Sequence, residues 1–270
     1  MAERTHPIAV VKGGGDLGTG VAYRLWRAGF RVLCTDLPKP LVIRRSVAFA
    51  AALYDARITI DGAMAMRIMY ADEAVYMWQR DGIPVIADPA GRSVAALQPV
   101  VVVDAIMAKQ NTGTMITDAS VVIACGPGFV AGTDCHAVIE TQRGHNLGRV
   151  IHAGSAAQNT GVPGEVGGAG ESRVVRAPVA GIMYGRKAIG DIVKEGDIIA
   201  QVDTTVVRAP LGGVVRGLMH DEVNVTANMK IGDIDPRGDV SYCYSISDKA
   251  LAVGGGVLEA VFSLRDRWQV

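Results

Sequence analysis

A short apolar run, Pro7-Ile8-Ala9-Val10-Val11, gives way to Gly13-Gly14-Gly15-Asp16-Leu17-Gly18. Residues 16–28 then carry Leu17, Val21, Leu25 and Ala28 at helical spacing, and Gly29 stands where such a helix ends. A strand that runs through glycines straight into a helix has few solutions. The first glycine permits the tight turn, the second lets the backbone approach a pyrophosphate, and the third lets helix and strand pack closely. The helix start offers unpaired N–H groups and a positive dipole end to an anion. A second strand, residues 30–35, leads to Asp36, close to the roughly 20-residue spacing of an acid that holds ribose hydroxyls. Gly13, Gly15, Asp16, Gly18 and Asp36 are therefore candidate cofactor-binding residues of a Rossmann-like nucleotide-binding domain. Asp36 would repel a 2′-phosphate, which favours an NAD-like ligand; Lys39, Arg44 and Arg45 just beyond it weaken that preference.

Further apolar runs at 57–60, 83–87, 100–103, 121–125 and 136–139 read as strands, and 71–81 as a helix. The runs are continuous rather than alternating, so a mainly parallel sheet covered on both faces is expected. In such a sheet ligands gather at the carboxyl ends of the strands. There the sequence places Asp88, then Asp104 with Lys109, Asn111 and Thr112, then Gly126-Pro127-Gly128, then Glu140, Thr141, Arg143 and His145. Gly126 and Gly128 join the cofactor-binding candidates. Asn111, Glu140, Thr141 and Arg143 are candidates for an anion or substrate pocket, with Lys109, Arg143 and Arg149 as its cations. Asp104, Lys109 and His145 are the candidate catalytic groups if a reaction occurs, and the sequence leaves open whether one does.

The second half changes character. Residues 153–172 are rich in Gly, Ser and Asn and read as a connector after a first domain at 1–152. Arg176-Ala177-Pro178-Val179-Ala180-Gly181-Ile182 then returns as Arg208-Ala209-Pro210-Leu211-Gly212-Gly213-Val214. A repeat this close predicts two similar hairpin-like units, a small all-β domain at 173–240. Residues 247–264 predict a helix capped by Ser247, within a C-terminal segment 241–270 that packs on the first domain or on a partner, a second copy of the chain included. Gly254-Gly255-Gly256 inside that helix costs about 1 kcal/mol per residue relative to Ala, which argues for a close backbone neighbour.

Lys plus Arg and Asp plus Glu are 27 each, so no overall field favours nucleic acid or an acidic membrane surface. No apolar run approaches the roughly 20 residues of a membrane span, and the start lacks an apolar signal core. Cys34, Cys125, Cys135 and Cys243 form no CxxC pair, and His136, His145 and His152 lack metal-site spacing. A reduced cytoplasmic protein without a metal site is expected.

Several longer stretches carry a family resemblance. They are the Gly13–Gly20 loop, Leu41-Val42-Ile43-Arg44-Arg45, Val103-Asp104-Ala105-Ile106-Met107-Ala108-Lys109, Gly126-Pro127-Gly128-Phe129, and Ile139-Glu140-Thr141-Gln142-Arg143-Gly144-His145 running on to Arg149. Asn159-Thr160-Gly161-Val162-Pro163-Gly164, Asp233-Ile234-Asp235-Pro236-Arg237, Ser247-Asp248-Lys249-Ala250 and Gly254-Gly255-Gly256-Val257-Leu258-Glu259-Ala260 complete the set. Through them the chain resembles the YqeB family, accessory proteins of the selenium-dependent molybdenum hydroxylase system, and more loosely XdhC-type maturation factors. The resemblance implies a maturation role with a molybdenum hydroxylase or other maturation proteins as partners. It implies molybdopterin dinucleotide, beside an NAD-like dinucleotide, as a ligand of the Gly13 loop. An NAD-dependent oxidoreductase and a non-catalytic docking scaffold are the alternatives. Cys125 before Gly-Pro-Gly-Phe, and Asn228 before Met229-Lys230, depart from the family pattern. Residues 173–240 look like a biotinyl/lipoyl-type barrel-sandwich, but the tip at Asp203-Thr204-Thr205 holds no lysine, so no covalent biotin or lipoyl group is expected.

Overall fold

The structure, a computed structural model, describes residues 6–158, 165 and 167–268. The Asn159–Gly164 stretch lies outside the described residues. The chain divides into two compact units. The first draws on Met1–Pro40, Phe49–Asn159 and Ile246–Val270, and the second on Leu41–Ala48 and Thr160–Ser245.

The first unit opens with β1 (Ile8–Lys12), α1 (Asp16–Arg27) and β2 (Arg31–Asp36). A short α2 (Ala52–Asp55) leads to β3 (Arg57–Ile60) and β4 (Ala63–Ile68). Then come α3 (Ala74–Trp78), β5 (Ile83–Ala87), α4 (Arg92–Leu97), β6 (Val101–Asp104), β7 (Val121–Cys125), β8 (Ala137–Ile139) and β9 (Val150–Ile151). The unit closes with α5 (Asp248–Ser263). Its sheet runs β3-β4-β5-β2-β1-β6-β7-β8-β9. Strands β4 to β8 in that order are parallel, and β3 and β9 pair antiparallel at the two edges. Val10, Leu33, Val102 and Val122 project to the face that carries α3 and α4. The helix α5 packs on α1 and on β7, β8 and β9.

In the second unit β10 (Val174–Arg176), β11 (Gly181–Gly185), β12 (Ile192–Val193) and β13 (Ile198–Val202) come from the first repeat. The second supplies β14 (Thr205–Arg208), β15 (Gly213–Leu218), β16 (Val223–Val225) and β17 (Lys230–Asp235). They form two four-stranded sheets, β10-β17-β15-β12 and β14-β13-β11-β16, antiparallel throughout. The repeat shows in the pairing: Ala177 exchanges backbone bonds with Asn228 and Met229, and Ala209 with Gly196 and Asp197. Asn228 adopts the left-handed conformation, φ +65°, that its turn demands. The segment 41–48 belongs to this unit, since the Ile43 carbonyl accepts from the Leu218 amide at 2.9 Å. Buried ion pairs Arg173–Asp233 and Arg216–Asp235 fix the β17 side of the unit.

These sheets correct the expected architecture, a Rossmann-like mainly parallel domain followed by a biotinyl/lipoyl-like barrel-sandwich. In the first unit the sheet is mixed, because hairpins add an antiparallel strand at each edge, and no helix covers the β6–β7 crossover. In the second unit each sheet takes strands from both halves of the repeat, so the halves are not independent hairpin units. Residues 71–81 form a 3-10 turn, Ala71–Glu73, followed by α3, rather than one helix. No helix of the described residues is long and apolar enough to cross a membrane.

Candidate functional site

Gly13 has φ +93°, and its amide donates to the Thr35 carbonyl at 2.8 Å. A Cβ there would meet the Ala105 carbonyl oxygen at 2.7 Å, so only glycine lets β1 turn against the end of β6. A Cβ on Gly18 would overlap the Gly13 carbonyl oxygen, which is the helix–strand packing role expected of that position. The Asp36 carboxylate faces this loop. Its Oδ2 accepts from the Gly14 amide and its Oδ1 from the Leu37 amide, both at 2.8 Å. Burial pushes the carboxyl above its ordinary range, opposed by those two bonds. One side of the loop is closed by the chain itself. The Ala50 amide donates to the Gly14 carbonyl at 2.9 Å, and Thr19 Oγ1 accepts from the Phe49 amide at 2.8 Å. Gly15, Asp16 and Leu17, at the head of α1, stay half-exposed. Tyr54, absent from the sequence reading, stands within the electrostatic reach of Asp36; burial and then that carboxylate raise its phenol.

Across β1, Asp104 is almost fully buried and bound by two donors. Thr114 Oγ1 donates to its Oδ2 at 2.6 Å, and the Ile106 amide to its Oδ1 at 3.1 Å. Lys12 Nζ donates to Thr114 Oγ1 and lies 3.9 Å from Asp104. Asn111 builds the turn that presents Thr114: its Oδ1 accepts from the Gly113 and Thr114 amides, and its Nδ2 donates to the Thr114 carbonyl. Lys109 is exposed, with φ +65°. Gly128 gives the neighbouring backbone room, since a Cβ there would meet Gln110 Cα at 2.6 Å. A Cβ on Gly126 would meet Thr141 Oγ1 at 2.8 Å. Lys12 and Thr114 were not among the sequence candidates. The available signal was a lysine closing an otherwise apolar strand.

The third group surrounds the start of α5. Glu140 is a clamp for the backbone, accepting from the Gln142 amide at 2.7 Å and the Ala157 amide at 2.8 Å. Arg143 forks onto Asp248, the first residue of α5, at 3.1 and 3.2 Å. The Lys249 ammonium is shifted down, by burial first and then by Arg143, while Asp16, Glu140 and Asp248 oppose the shift. The charges of α1, α5 and the 140–143 turn thus meet at one place. His145 and Arg149 are exposed on the following loop. Cys125 is buried; burial, then Asp104 and Cys135, push its thiol far up, so it is an inert proton-bearing thiol. Among the described residues no group of three His, Cys, Asp or Glu could hold a metal ion.

These features define an α/β protein with a glycine turn at a helix start, followed in sequence by an all-β unit. No family model matches the chain. The chain is 52% identical over 259 residues to the uncharacterized protein YqeB of Escherichia coli K12. The match takes in 96% of this chain and 48% of that protein, so the chain spans about half the length of the curated relative it matches. The chain is YqeB-like over that stretch. Among solved structures it is similar to an aspartoacylase family protein from Mesorhizobium loti, at 10% identity and a TM-score of 0.27, over 85% of this chain and 84% of that one. The ectoine utilization protein EutE from Ruegeria pomeroyi gives 10%, 0.24 and 85% of each chain. A succinylglutamate desuccinylase/aspartoacylase from Rhodobacter sphaeroides gives 12%, 0.25 and 87% of each. The sheets themselves overturn the Rossmann and biotinyl/lipoyl expectations. At such scores these likenesses carry no further argument.

Proposed function

We propose that the first unit holds a phosphate-bearing, nucleotide-type ligand at the Gly13–Gly18 turn, and that the protein acts as an accessory carrier of that ligand. One observation carries the reading: the Asp36 carboxylate bound to the Gly14 amide at 2.8 Å, beside the half-exposed residues Gly15, Asp16 and Leu17. An ionised carboxylate has about four acceptor positions. Two serve Gly14 and Leu37, which leaves two for the hydroxyls of a sugar. The start of α1, with its positive dipole end, suits an anion next to that sugar. NAD-like dinucleotides and molybdopterin dinucleotide both meet this description.

Titration calorimetry with NAD and with molybdopterin dinucleotide tests the reading. Saturable binding is expected for at least one, weakened tenfold or more by Asp36→Ala and lost with Gly15→Val. Equal affinity in both variants would remove it. Service to a selenium-dependent molybdenum hydroxylase is the finer part of the proposal and rests on the sequence resemblance. Its test is whether a tagged chain co-purifies with the hydroxylase in cells that make both.

A further inference from the structure

Strands β6 and β7 are parallel neighbours, and the chain between them must cross over one face of the sheet. Such crossovers usually carry a helix. Here residues 105–120 form turns and coil, with no helix. The face beside α4 is consequently left with a cavity of about 1000 Å³, lined among others by Lys12, Gly91, Val94, Gln98, Met115 and Ala119. That volume is at the upper end of pockets that hold small molecules, roughly 300–1,000 Å³. Lys12 has the same strand parity as Val10, so its stem follows the face that packs α3 and α4.

The lysine is held in place. Its side chain is 12% exposed, its ammonium donates to Thr114 Oγ1, and Asp104 stands 3.9 Å away at ion-pair distance. Thr114 in turn gives its own proton to Asp104 at 2.6 Å, and Asn111 fixes the Thr114 turn. An ammonium has three donors. Thr114 takes one, Asp104 stands at ion-pair distance, and Lys12 itself lines the cavity. Val94, Met115 and Ala119 supply an apolar wall beside it. We infer that this cavity binds a small carboxylate with an aliphatic body, its carboxylate on Lys12 and its chain along α4. The site lies off the Gly13–Gly18 turn and does not depend on the nucleotide reading.

Hexanoate and inorganic phosphate, titrated into the full chain by calorimetry or NMR, are the probes. Hexanoate should saturate, and phosphate, which lacks an apolar body, should bind at least tenfold more weakly. Lys12→Met should weaken hexanoate tenfold or more. That variant leaves Asp104 buried without its cation and puts folding at risk, so Ala119→Phe provides a second test, narrowing the apolar wall without touching a charge. It should weaken hexanoate binding tenfold or more in a protein that still unfolds cooperatively. Asp36→Ala should leave hexanoate affinity unaltered, which separates this site from the turn. Absence of saturation by hexanoate, phosphate binding as tight as hexanoate, or full affinity in a folded Ala119→Phe protein would each overturn the inference.

Discussion

Asp88 shows how a residue expected near a ligand can be consumed by the fold. Its carboxylate accepts from the Arg92 and Ser93 amides and the Ser93 hydroxyl, at 3.0, 2.7 and 2.6 Å, and so caps the head of α4. Burial alone would raise its carboxyl, but the Ser93 and Arg92 bonds and the Arg92 charge outweigh it and bring it below the ordinary range. A carboxyl that is lower in the folded state stabilises the protein above its unfolded value, about 3.9, and this contribution is lost as pH falls through the folded value. Asp88→Ala should therefore cost about 1–2 kcal/mol at neutral pH. Urea denaturation at several pH values should show the gap from the parent chain closing below about pH 4. Glu140 is similar, with both oxygens on backbone amides. From sequence, a carboxylate at a strand end has the same appearance whether it faces a ligand or a loop, because its partners are amides that any residue supplies. Asp36 was legible for a different reason: its spacing from the glycines fixes what it can reach.

At the level of elements, the glycines of α5 separate cleanly. A Cβ on Gly254 would overlap the Gly20 carbonyl of α1, and one on Gly256 would overlap the Gly148 carbonyl, whereas Gly255 meets nothing within 4 Å. Gly255→Ala should thus stabilise the protein by up to about 1 kcal/mol, the helix propensity difference. Gly254→Ala should destabilise it by more than that difference gains, since two backbones must separate; chemical denaturation of the two variants side by side checks the contrast. The glycine run in the sequence announced a close neighbour but could not say which. Continuous apolar runs also announced β1, β5, β6 and β7. The run at 57–60 announced β3, but its hairpin partner β4 was missed, although Asp61-Gly62, with φ of +46° and +83°, is a strong two-residue turn signal. The helix-free crossover at 105–120 was illegible because turn residues there do not reveal how much of the sheet they leave uncovered.

For the whole molecule, each unit is assembled from separated stretches of chain. The second includes 41–48, whose Ile43 backbone pairs with Leu218 and whose Ser46 hydroxyl donates to the Cys243 carbonyl at 2.6 Å. The first is completed by α5, which buries Ala250, Val253, Val257, Ala260 and Val261. A chain ending at residue 245 should lose cooperative unfolding of the first unit, read by circular dichroism and hydrogen exchange at β7 and β8; native-like protection there would contradict this. Gly20 of α1 rests on Ala250, roughly 230 residues further along. During synthesis, then, the flank of α1 that receives α5 waits, bare, while the roughly 230 residues between them emerge from the ribosome. Contacts of such separation form late and slowly. Until α5 arrives, the nascent chain offers that surface to other molecules, so its yield in cells should respond to chaperone supply more than its final stability would suggest.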